Sequence, residues 1–276
     1  MDLDESFRHK LCLNYAIDEL PCREKECKEI EDYVFNNLIS QSSGTLYISG
    51  MPGTGKTASV MRTMNLLKTR PPKMPKKSTK SVKFSCIYVN GMQIGDVSQL
   101  FVEIFKQLFK KENSRWKPAT TLSANAAFLK LKSHFSRNVL ESQVDAGNRT
   151  PIVIIIDELD VLITKKQCLL YNIFDWATLD KAQLTIIAIA NTLDLPERAL
   201  SSRITSRMGL KRICFEPYNH QQIVSILENR LKDCPVANKE VLEFIARKVS
   251  ALSGDLRRAL EICRLSYDIY RQKLIV

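Results

Sequence analysis

The feature that most constrains the fold is the segment GMPGTGKT, Gly50–Thr57, which fits the Walker A pattern G-x-x-x-x-G-K-[ST]. An apolar stretch, Thr45–Ser49, precedes it and is predicted to be a strand, whereas a helix is predicted from Lys56 onward. Glycines let the backbone N–H groups turn toward phosphates, and a helix N-terminus adds partial positive charge. A chance glycine-rich turn is the alternative, but the flanking strand and helix favour a phosphate loop.

The chemistry of such a loop assigns a role to each polar side chain. Lys56 is predicted to reach the β- and γ-phosphates of a nucleotide, and the Thr57 hydroxyl is predicted to ligate Mg²⁺. The pattern therefore predicts a nucleoside triphosphate site that contains magnesium.

A second apolar strand ends in acids in the segment IIIDELD, Ile154–Asp160. Strands often end in acids simply because solvent begins there. Together with the phosphate loop, however, the pattern predicts that Asp157 holds Mg²⁺, directly or through water, and that Glu158 activates the attacking water as a general base. Asp160 is predicted to cap the next helix.

Polar residues farther along the chain are candidates for sensing the nucleotide. The strand LTIIAIA is followed by Asn191, whose amide is predicted to orient water or touch the γ-phosphate, unless it only forms a turn. In SGDLRRAL, Asp255 stands at a helix N-cap position, and the arginines in the first turn oppose the helix dipole. This local conflict points to function, so Arg257 is predicted to reach the γ-phosphate; a solvated arginine is the alternative.

Two further arginines precede the last predicted strand, in SSRITSRMGL. An arginine at this place in the sheet is able to reach the nucleotide site of a neighbouring subunit, where it would stabilise transition-state charge. Arg207 is the first candidate for this trans arginine finger and Arg203 the second; an arginine in ordinary surface ion pairs is the alternative.

Strand and helix patterns alternate over most of the chain, which predicts an α/β fold with a mostly parallel sheet covered by helices on both faces. The predicted strands are Thr45–Ser49, Phe84–Val89, Ile152–Ile156, Leu184–Ala190 and Lys211–Phe215, and the helices between them include Glu24–Leu38, Lys56–Leu67, Ser98–Lys110 and Lys165–Trp176. After Pro217 only helical patterns follow. We therefore expect an α/β nucleotide-binding domain over 1–217 and a small helical domain over 218–276.

Composition indicates the kind of partner. The 276 residues carry a net charge of +11, which favours a polyanion such as nucleic acid over a purely solvated basic surface. Lys68–Lys83 forms a basic run without acids that is able to contact phosphates or to remain a solvated loop. Eight cysteines without a CxxC pair suit reduced thiols in the cytosol or nucleus. No apolar run approaches the roughly 20 residues that span a bilayer, so no membrane partner is expected.

The order of phosphate loop, acidic strand, terminal Asn, late Arg and helical lid resembles the AAA+ ATPases. Within them, several segments are similar to the largest-subunit family of the eukaryotic origin recognition complex, with the cell-division-cycle helicase loaders as near relatives. These segments are LPCREKECKEI, YISGMPGTGKTASV, YVNGM, DELDVL, YNIFDWAT, AIANTLDLPERAL, SRMGLKRICFEPY and ALSGDLRRALEICR, and the likeness spans roughly residues 18 to 270.

This resemblance implies an AAA+ P-loop NTPase core, with a five-stranded parallel sheet between helices, followed by an all-α lid. It places the phosphate-loop strand between the last strand and the Asn191 strand, and the adenine near LPCRE. The implied catalytic residues are Glu158, Lys56, Asn191 and Arg257. The implied ATP-binding residues are Leu20, Pro21, Arg23, Gly50, Met51, Pro52, Gly53, Thr54, Gly55, Lys56, Thr57, Ala58, Asp157, Glu158, Asn191 and Arg257.

The resemblance also implies a biological setting. Family members bind ATP and Mg²⁺ within a ring of origin recognition complex subunits in the nucleus. This ring encircles duplex DNA and, together with a helicase loader, helps to load the replicative helicase. The family's extra helix directed toward DNA would fall in GMQIGDVSQLF, which lacks Lys and Arg and is therefore not expected to bind phosphates through charge. A C-terminal winged-helix domain, usual in the family, does not follow the lid, so the chain is expected to be the ATPase core of a longer protein that binds DNA weakly alone.

Three other functions are compatible with the same motifs. A cell-division-cycle type helicase loader is the nearest. A clamp loader shares the order of motifs but is expected to lack YNIFDW and LDLPER. A purely structural subunit would bind ATP without hydrolysing it, and the pair Asp157–Glu158 argues against that.

Overall fold

The computed structural model describes residues 3–12, 20–72, 82–94, 97–112, 123–136, 150–162, 167–179, 182–193, 211–232 and 238–275. Its elements follow in chain order: α1 (Leu3–Lys10), α2 (Glu24–Ser40), β1 (Gly44–Gly50), α3 (Lys56–Thr69), β2 (Ser85–Asn90), a 3₁₀ turn (Gly91–Gln93), α4 (Val97–Glu112), α5 (Ala124–Ser136), β3 (Ile152–Asp157), α6 (Leu159–Leu162), α7 (Gln167–Trp176), β4 (Leu184–Ile189), β5 (Lys211–Phe215), α8 (His220–Leu231), α9 (Lys239–Leu252) and α10 (Leu256–Ile275).

The five strands form one sheet in the order β2-β3-β4-β1-β5. The pairs β1–β4, β2–β3 and β3–β4 are parallel, and in the last of these Ile156 is level with Ala188. The predicted α/β class is confirmed, as is the position of β1 between the last strand and the strand that precedes Asn191. Because the ends of β3 and β4 are neighbours, the residues that follow them are brought together.

The central strands are apolar because both of their faces are covered. Every residue of β3 and of β4 is buried. The helices α4, α5 and α7 contribute an aromatic group around Trp176, whose ring centroid lies 5.6 Å from that of Phe101, 5.9 Å from Phe128 and 5.2 Å from Phe135. Helix α7, which follows the acidic strand end after α6, therefore contributes to the core.

The protein divides into two compact units. One unit holds 28–49 and 63–214, which form most of the sheet and the helices α4 to α7. The other holds the residues up to Cys27, the phosphate-loop segment Gly50–Arg62, and the chain from Phe215 onward. The phosphate loop thus belongs to the same unit as the lid helices α8, α9 and α10.

The first helix is also a part of the lid core. Phe7 and Leu11 are buried in one apolar cluster with residues of α8, α9 and α10. The ring of Phe7 lies 4.2 Å from that of Tyr267, and Arg8 forms an ion pair of 2.8 Å with Asp268. Helix α1 was not predicted, because eight residues with one apolar position per turn give a weak helical pattern.

Other differences from the predicted elements are local. α3 continues to Thr69, into the beginning of the basic run, of which 73–81 lie outside the described residues. α5 (Ala124–Ser136) is absent from the predicted helices. In GMQIGDVSQLF the structure has the 3₁₀ turn and then the start of α4 at Val97. Within the described ranges, none of the helices has the length and apolar character that crossing a bilayer requires.

Candidate nucleotide-binding site

The phosphate loop holds its lysine inward. Lys56 is only 7% exposed, and its ammonium donates to the backbone oxygens of Gly50 at 2.6 Å and of Met51 at 2.9 Å. Thr54 closes the turn by donating its hydroxyl to Met51 O at 2.8 Å. A cation enclosed by loop carbonyls and followed by a helix N-terminus suits a phosphate ligand, because the phosphate supplies the negative charge that carbonyl dipoles supply only in part.

Arg23 anchors this loop. Its side chain is buried, and Nε donates to Thr54 O at 3.0 Å, while one terminal nitrogen donates to Glu26 at 2.7 Å and the other to Glu216 O. The guanidinium also lies 4.1 Å from the ring centroid of Tyr218. One planar cation therefore joins the start of α2, the phosphate loop and the segment that enters the lid.

The lid helix α10 begins directly on the loop. Asp255 accepts the backbone N–H of Arg257 at 2.8 Å, which confirms its predicted place before the first turn of that helix. The same carboxylate lies against Gly53, whose φ of +76° is in the left-handed region. A Cβ at Gly53 would overlap with the Asp255 carboxylate. Gly53 is thus needed for its conformation and for this contact.

The carboxylate of Asp157 has a defined orientation. It is 4% exposed, its Oδ1 accepts the backbone N–H of Glu158 at 2.9 Å, and its Oδ2 accepts the hydroxyl of Tyr88 at 2.9 Å. Burial, followed by the hydrogen bond to Asp157, raises the pKa of Tyr88 to about 12. The phenol therefore remains a hydrogen-bond donor throughout the physiological range.

Glu158 and Asn191 are brought together as the adjacent strands predict. The Asn191 side-chain amide donates to Glu158 Oε2 at 2.6 Å. Asp160, which was predicted to cap the next helix, instead accepts the backbone N–H of Asn191 at 2.6 Å and the hydroxyl of Thr192 at 3.0 Å. That prediction was wrong because the partners of Asp160 lie on the neighbouring strand end. Asp160 fixes the backbone from which Asn191 reaches Glu158.

The backbone of Glu158 is strained. Its φ of +53° lies in the left-handed region, which is uncommon for a residue with a side chain. The Glu158 carbonyl oxygen would be 2.6 Å from a Cβ placed on Gly91, so a glycine is required beside it. Glu158 is thus a single left-handed residue between the end of β3 and the start of α6.

The carboxylate oxygens of Asp157 are ligands of the type that magnesium prefers. Among the described residues, no group of three or more His, Cys, Asp or Glu side chains is placed to hold a metal ion by itself. Mg²⁺ is usually held by one or two protein oxygens together with substrate phosphates and water, so a single oriented carboxylate suits it. The donor set therefore fits a metal that is brought with the nucleotide.

Comparison with known proteins identifies the family. The model of the ATPase family associated with various cellular activities (AAA) matches residues 46–212. The chain belongs to the AAA family. A second family model, the Cdc6/ORC-like ATPase lid domain, matches residues 218–273, which contain α8, α9 and α10.

The AAA chain is similar to subunit 1 of origin recognition complexes. It is 38% identical to the subunits of Bos taurus and Homo sapiens over 96% of its length, and 40% identical to that of Oryza sativa over 98%. It spans 28% of the length of the two mammalian relatives and 31% of the rice relative. The likeness predicted from the motifs is therefore confirmed.

Two solved structures share the fold over nearly the whole chain. A chain in the structure of Drosophila ORC bound to DNA superposes with a TM-score of 0.81 at 33% identity, covering 99% of this chain and 62% of that one. The ORC1 protein of Aeropyrum pernix in complex with DNA gives 0.76 at 26% identity, covering 96% and 64%.

The remaining predicted site residues of this AAA chain differ in their surroundings. Met51, Pro52 and Ala58 are exposed on the phosphate loop and α3, whereas Leu20, Pro21, Gly55 and Thr57 are half-buried and Thr54 is buried. Arg257 is exposed in the first turn of α10. Arg203 and Arg207 lie outside the described residues. Tyr88, the partners of Asp160 and the contact of Asp255 with Gly53 were not predicted, since each depends on residues distant in sequence.

Proposed function

We propose that this chain is the ATP-binding and ATP-hydrolysing core of an origin recognition complex subunit 1 and acts in the initiation of DNA replication. The observation that carries the proposal is the 38% identity to such subunits over 96% of the chain, including both the AAA core and the lid. A cell-division-cycle type loader is less favoured, since the 38% identity over 96% of the chain is to proteins named origin recognition complex subunit 1.

The proposed chemistry assigns one task to each group. Lys56 and the loop N–H groups bind the β- and γ-phosphates, with Arg257 as a second cation for the γ-phosphate. Thr57 and Asp157 hold Mg²⁺, which when bound neutralises phosphate charge. Glu158 accepts a proton from the attacking water, and Asn191 holds the Glu158 carboxylate in place, as their 2.6 Å hydrogen bond suggests.

Leu20, Pro21 and Arg23 are proposed to border the adenine. For Arg23 the proposed role is indirect, and its hydrogen bonds to Thr54 O and Glu216 O support a function in positioning the loop. The other loop residues contribute their backbones, in which glycines permit the close approach of phosphate.

The site is proposed to be completed by a neighbouring subunit. An arginine finger in trans is worth orders of magnitude in the rate of nucleotide hydrolysis, so the isolated chain should hydrolyse ATP slowly. Arg207, or else Arg203, would in turn serve the next site in a ring of origin recognition complex subunits.

The proposed setting is the nucleus, where such a ring encircles duplex DNA and cooperates with a helicase loader. The net charge of +11 supports contacts with the DNA backbone, and the Lys68–Lys83 run is a candidate for them. The affinity of such contacts is low for a single chain and decreases as the salt concentration rises. DNA binding is therefore proposed to depend on the assembled ring.

ATP turnover of this chain, alone and with its partner subunits, with and without duplex DNA, tests the proposal. We expect low turnover alone and a rise of at least tenfold in the assembly, lost when the neighbour's arginine is replaced by alanine. Robust turnover by the isolated chain would contradict the need for a trans arginine.

Glu158→Gln separates an enzyme from a structural ATP-binding subunit. The amide keeps the size and the hydrogen-bonding capacity of the side chain but accepts no proton. We expect nucleotide affinity to remain and turnover in the assembly to fall by about 10²- to 10⁴-fold. Unchanged turnover would remove Glu158 from the mechanism.

A further inference from the structure

We propose that Tyr88 is a positioning residue for magnesium, acting through Asp157, and this inference rests on the proposed role of Asp157 as a metal ligand. The hydroxyl of Tyr88 donates to Asp157 Oδ2 at 2.9 Å, while Oδ1 accepts the backbone N–H of Glu158 at 2.9 Å. Both oxygens are therefore oriented by donors from the chain, as is usual for a carboxylate that ligates a metal.

The sheet explains how the phenol reaches the carboxylate. In the parallel pair of β2 and β3, Asn90 is level with Asp157 and Tyr88 is level with Ile155. Side chains two residues apart on a strand share a face, and level residues on paired strands share a face as well. Tyr88 and Asp157 thus lie on one face of the sheet, and the long phenol spans the offset between them.

The backbone of Tyr88 is itself fixed. β2 is the edge strand of the sheet, and backbone groups at such an edge have no neighbouring strand to pair with. Here the side-chain amide of Gln107, on α4, takes that place: the Tyr88 N–H donates to its Oε1 at 3.2 Å, and its Nε2 donates to Tyr88 O at 2.8 Å. The phenol therefore extends from an anchored residue, as positioning requires.

The choice of a phenol suits this task. A lysine or arginine next to Asp157 would also orient the carboxylate, but its positive charge would repel a divalent metal. A neutral hydroxyl donates a strong hydrogen bond to the carboxylate and leaves its full negative charge to attract Mg²⁺. Hydrogen-bond partners of metal ligands of this kind typically contribute 10- to 100-fold to metal affinity.

Tyr88→Phe removes the hydroxyl and keeps the ring. The test is the affinity of the full chain for a fluorescent ATP analogue, measured across a magnesium titration and in excess EDTA. We expect the half-saturating magnesium concentration to rise by about tenfold, with the metal-free affinity unchanged. Tyr33→Phe is the matched control, because its hydroxyl donates to a backbone oxygen, Thr45 O, at 3.0 Å and has no contact with Asp157.

The outcomes separate this inference from the proposed function. If Asp157→Asn shifts the magnesium dependence and Tyr88→Phe behaves like Tyr33→Phe, the role of Tyr88 is overturned while that of Asp157 stands. If Asp157→Asn has no effect either, both fail. Tyr88→Met provides a second variant without a hydroxyl should the phenylalanine variant unfold, and Mn²⁺ binding followed by electron paramagnetic resonance should weaken in parallel.

Discussion

The carboxylate of Asp255 lies against Gly53, so the lid helix α10 begins in direct contact with the phosphate loop. The Asp255 side chain also receives the N–H of Arg257, and Leu256 N lies 3.4 Å from Gly53 O. The first turn of α10 is therefore positioned by the loop. Since Arg257 lies in that turn, its location depends on the space that Gly53 leaves open.

Gly53→Ala should consequently do more than strain one residue. The new methyl group meets the Asp255 carboxylate and also enforces an unfavourable φ, so we expect a loss of about 1–3 kcal/mol in unfolding free energy and at least tenfold weaker binding of a fluorescent ATP analogue. In an Asp255→Ala background the same change should cost less, by at least about 0.5 kcal/mol. If the changes in unfolding free energy, measured by chemical denaturation, are strictly additive, the contact between position 53 and Asp255 does not affect stability.

Asp160 and Asn191 should behave as one unit in turnover. Asp160→Ala frees the backbone of Asn191, and Asn191→Ala removes the amide that holds Glu158. We expect each change to reduce ATP turnover in the assembly by about 10- to 100-fold, because the general base Glu158 is then positioned less well. Nucleotide affinity should be unchanged. The double variant should be no slower than either single one. Asp160→Asn keeps an acceptor and should restore part of the rate, whereas multiplicative losses would indicate independent roles.

Arg23→Lys should be destabilising although it conserves charge. A lysine has one compact ammonium, so it cannot serve Thr54 O, Glu26 and Glu216 O together or stack on Tyr218. We expect a loss of about 2–4 kcal/mol in unfolding free energy, measured with urea, because a buried charge loses its partners. Arg247→Lys, in an exposed pair with Glu243, is the control and should change stability by less than about 0.5 kcal/mol. Equal effects would refute the anchoring role.

Phe7→Ala tests whether α1 stabilises the lid. Phe7 is 5% exposed in the lid cluster, so truncation should cost about 3 kcal/mol. Faster amide hydrogen exchange in α8 and α10 is the expected observation. Phe244→Ala removes a ring that is 61% exposed and should leave exchange nearly unchanged. If Phe7→Ala also leaves it unchanged, α1 contributes little to the lid.

Much of the fold was predictable because its signals are local. Runs of apolar residues predicted all five strands within one residue of their bounds, and the phosphate loop indicated the strand before it and the helix after it. The lid helices were equally clear, since their apolar positions follow helical spacing. The strand order came from the family resemblance, as periodicity alone does not say which strands are neighbours.

The parts of the site that were missed depend on contacts between distant segments. Aspartate is a residue type favoured at helix caps, so the sequence suggested that role for Asp160. Only the pairing of β3 with β4 shows that its partners are Asn191 and Thr192. Tyr88 reads as one more apolar strand residue until the parallel register places its hydroxyl at Asp157. The left-handed backbone of Glu158 likewise has no sequence signal, since glycine usually occupies such a conformation.

The packing of α1 into the lid has a consequence for biosynthesis. Arg230 donates to the backbone oxygens of Lys10 and Cys12, and the first of these partners is 220 residues away from it in the chain. At roughly 5–20 residues per second, a ribosome needs roughly 10 to 40 seconds to make that length. During that interval the lid residues that bury Phe7 and Leu11, which begin at Tyr218, have not yet been made. The contacts of α1 with the lid can therefore form only after α8 has been synthesised.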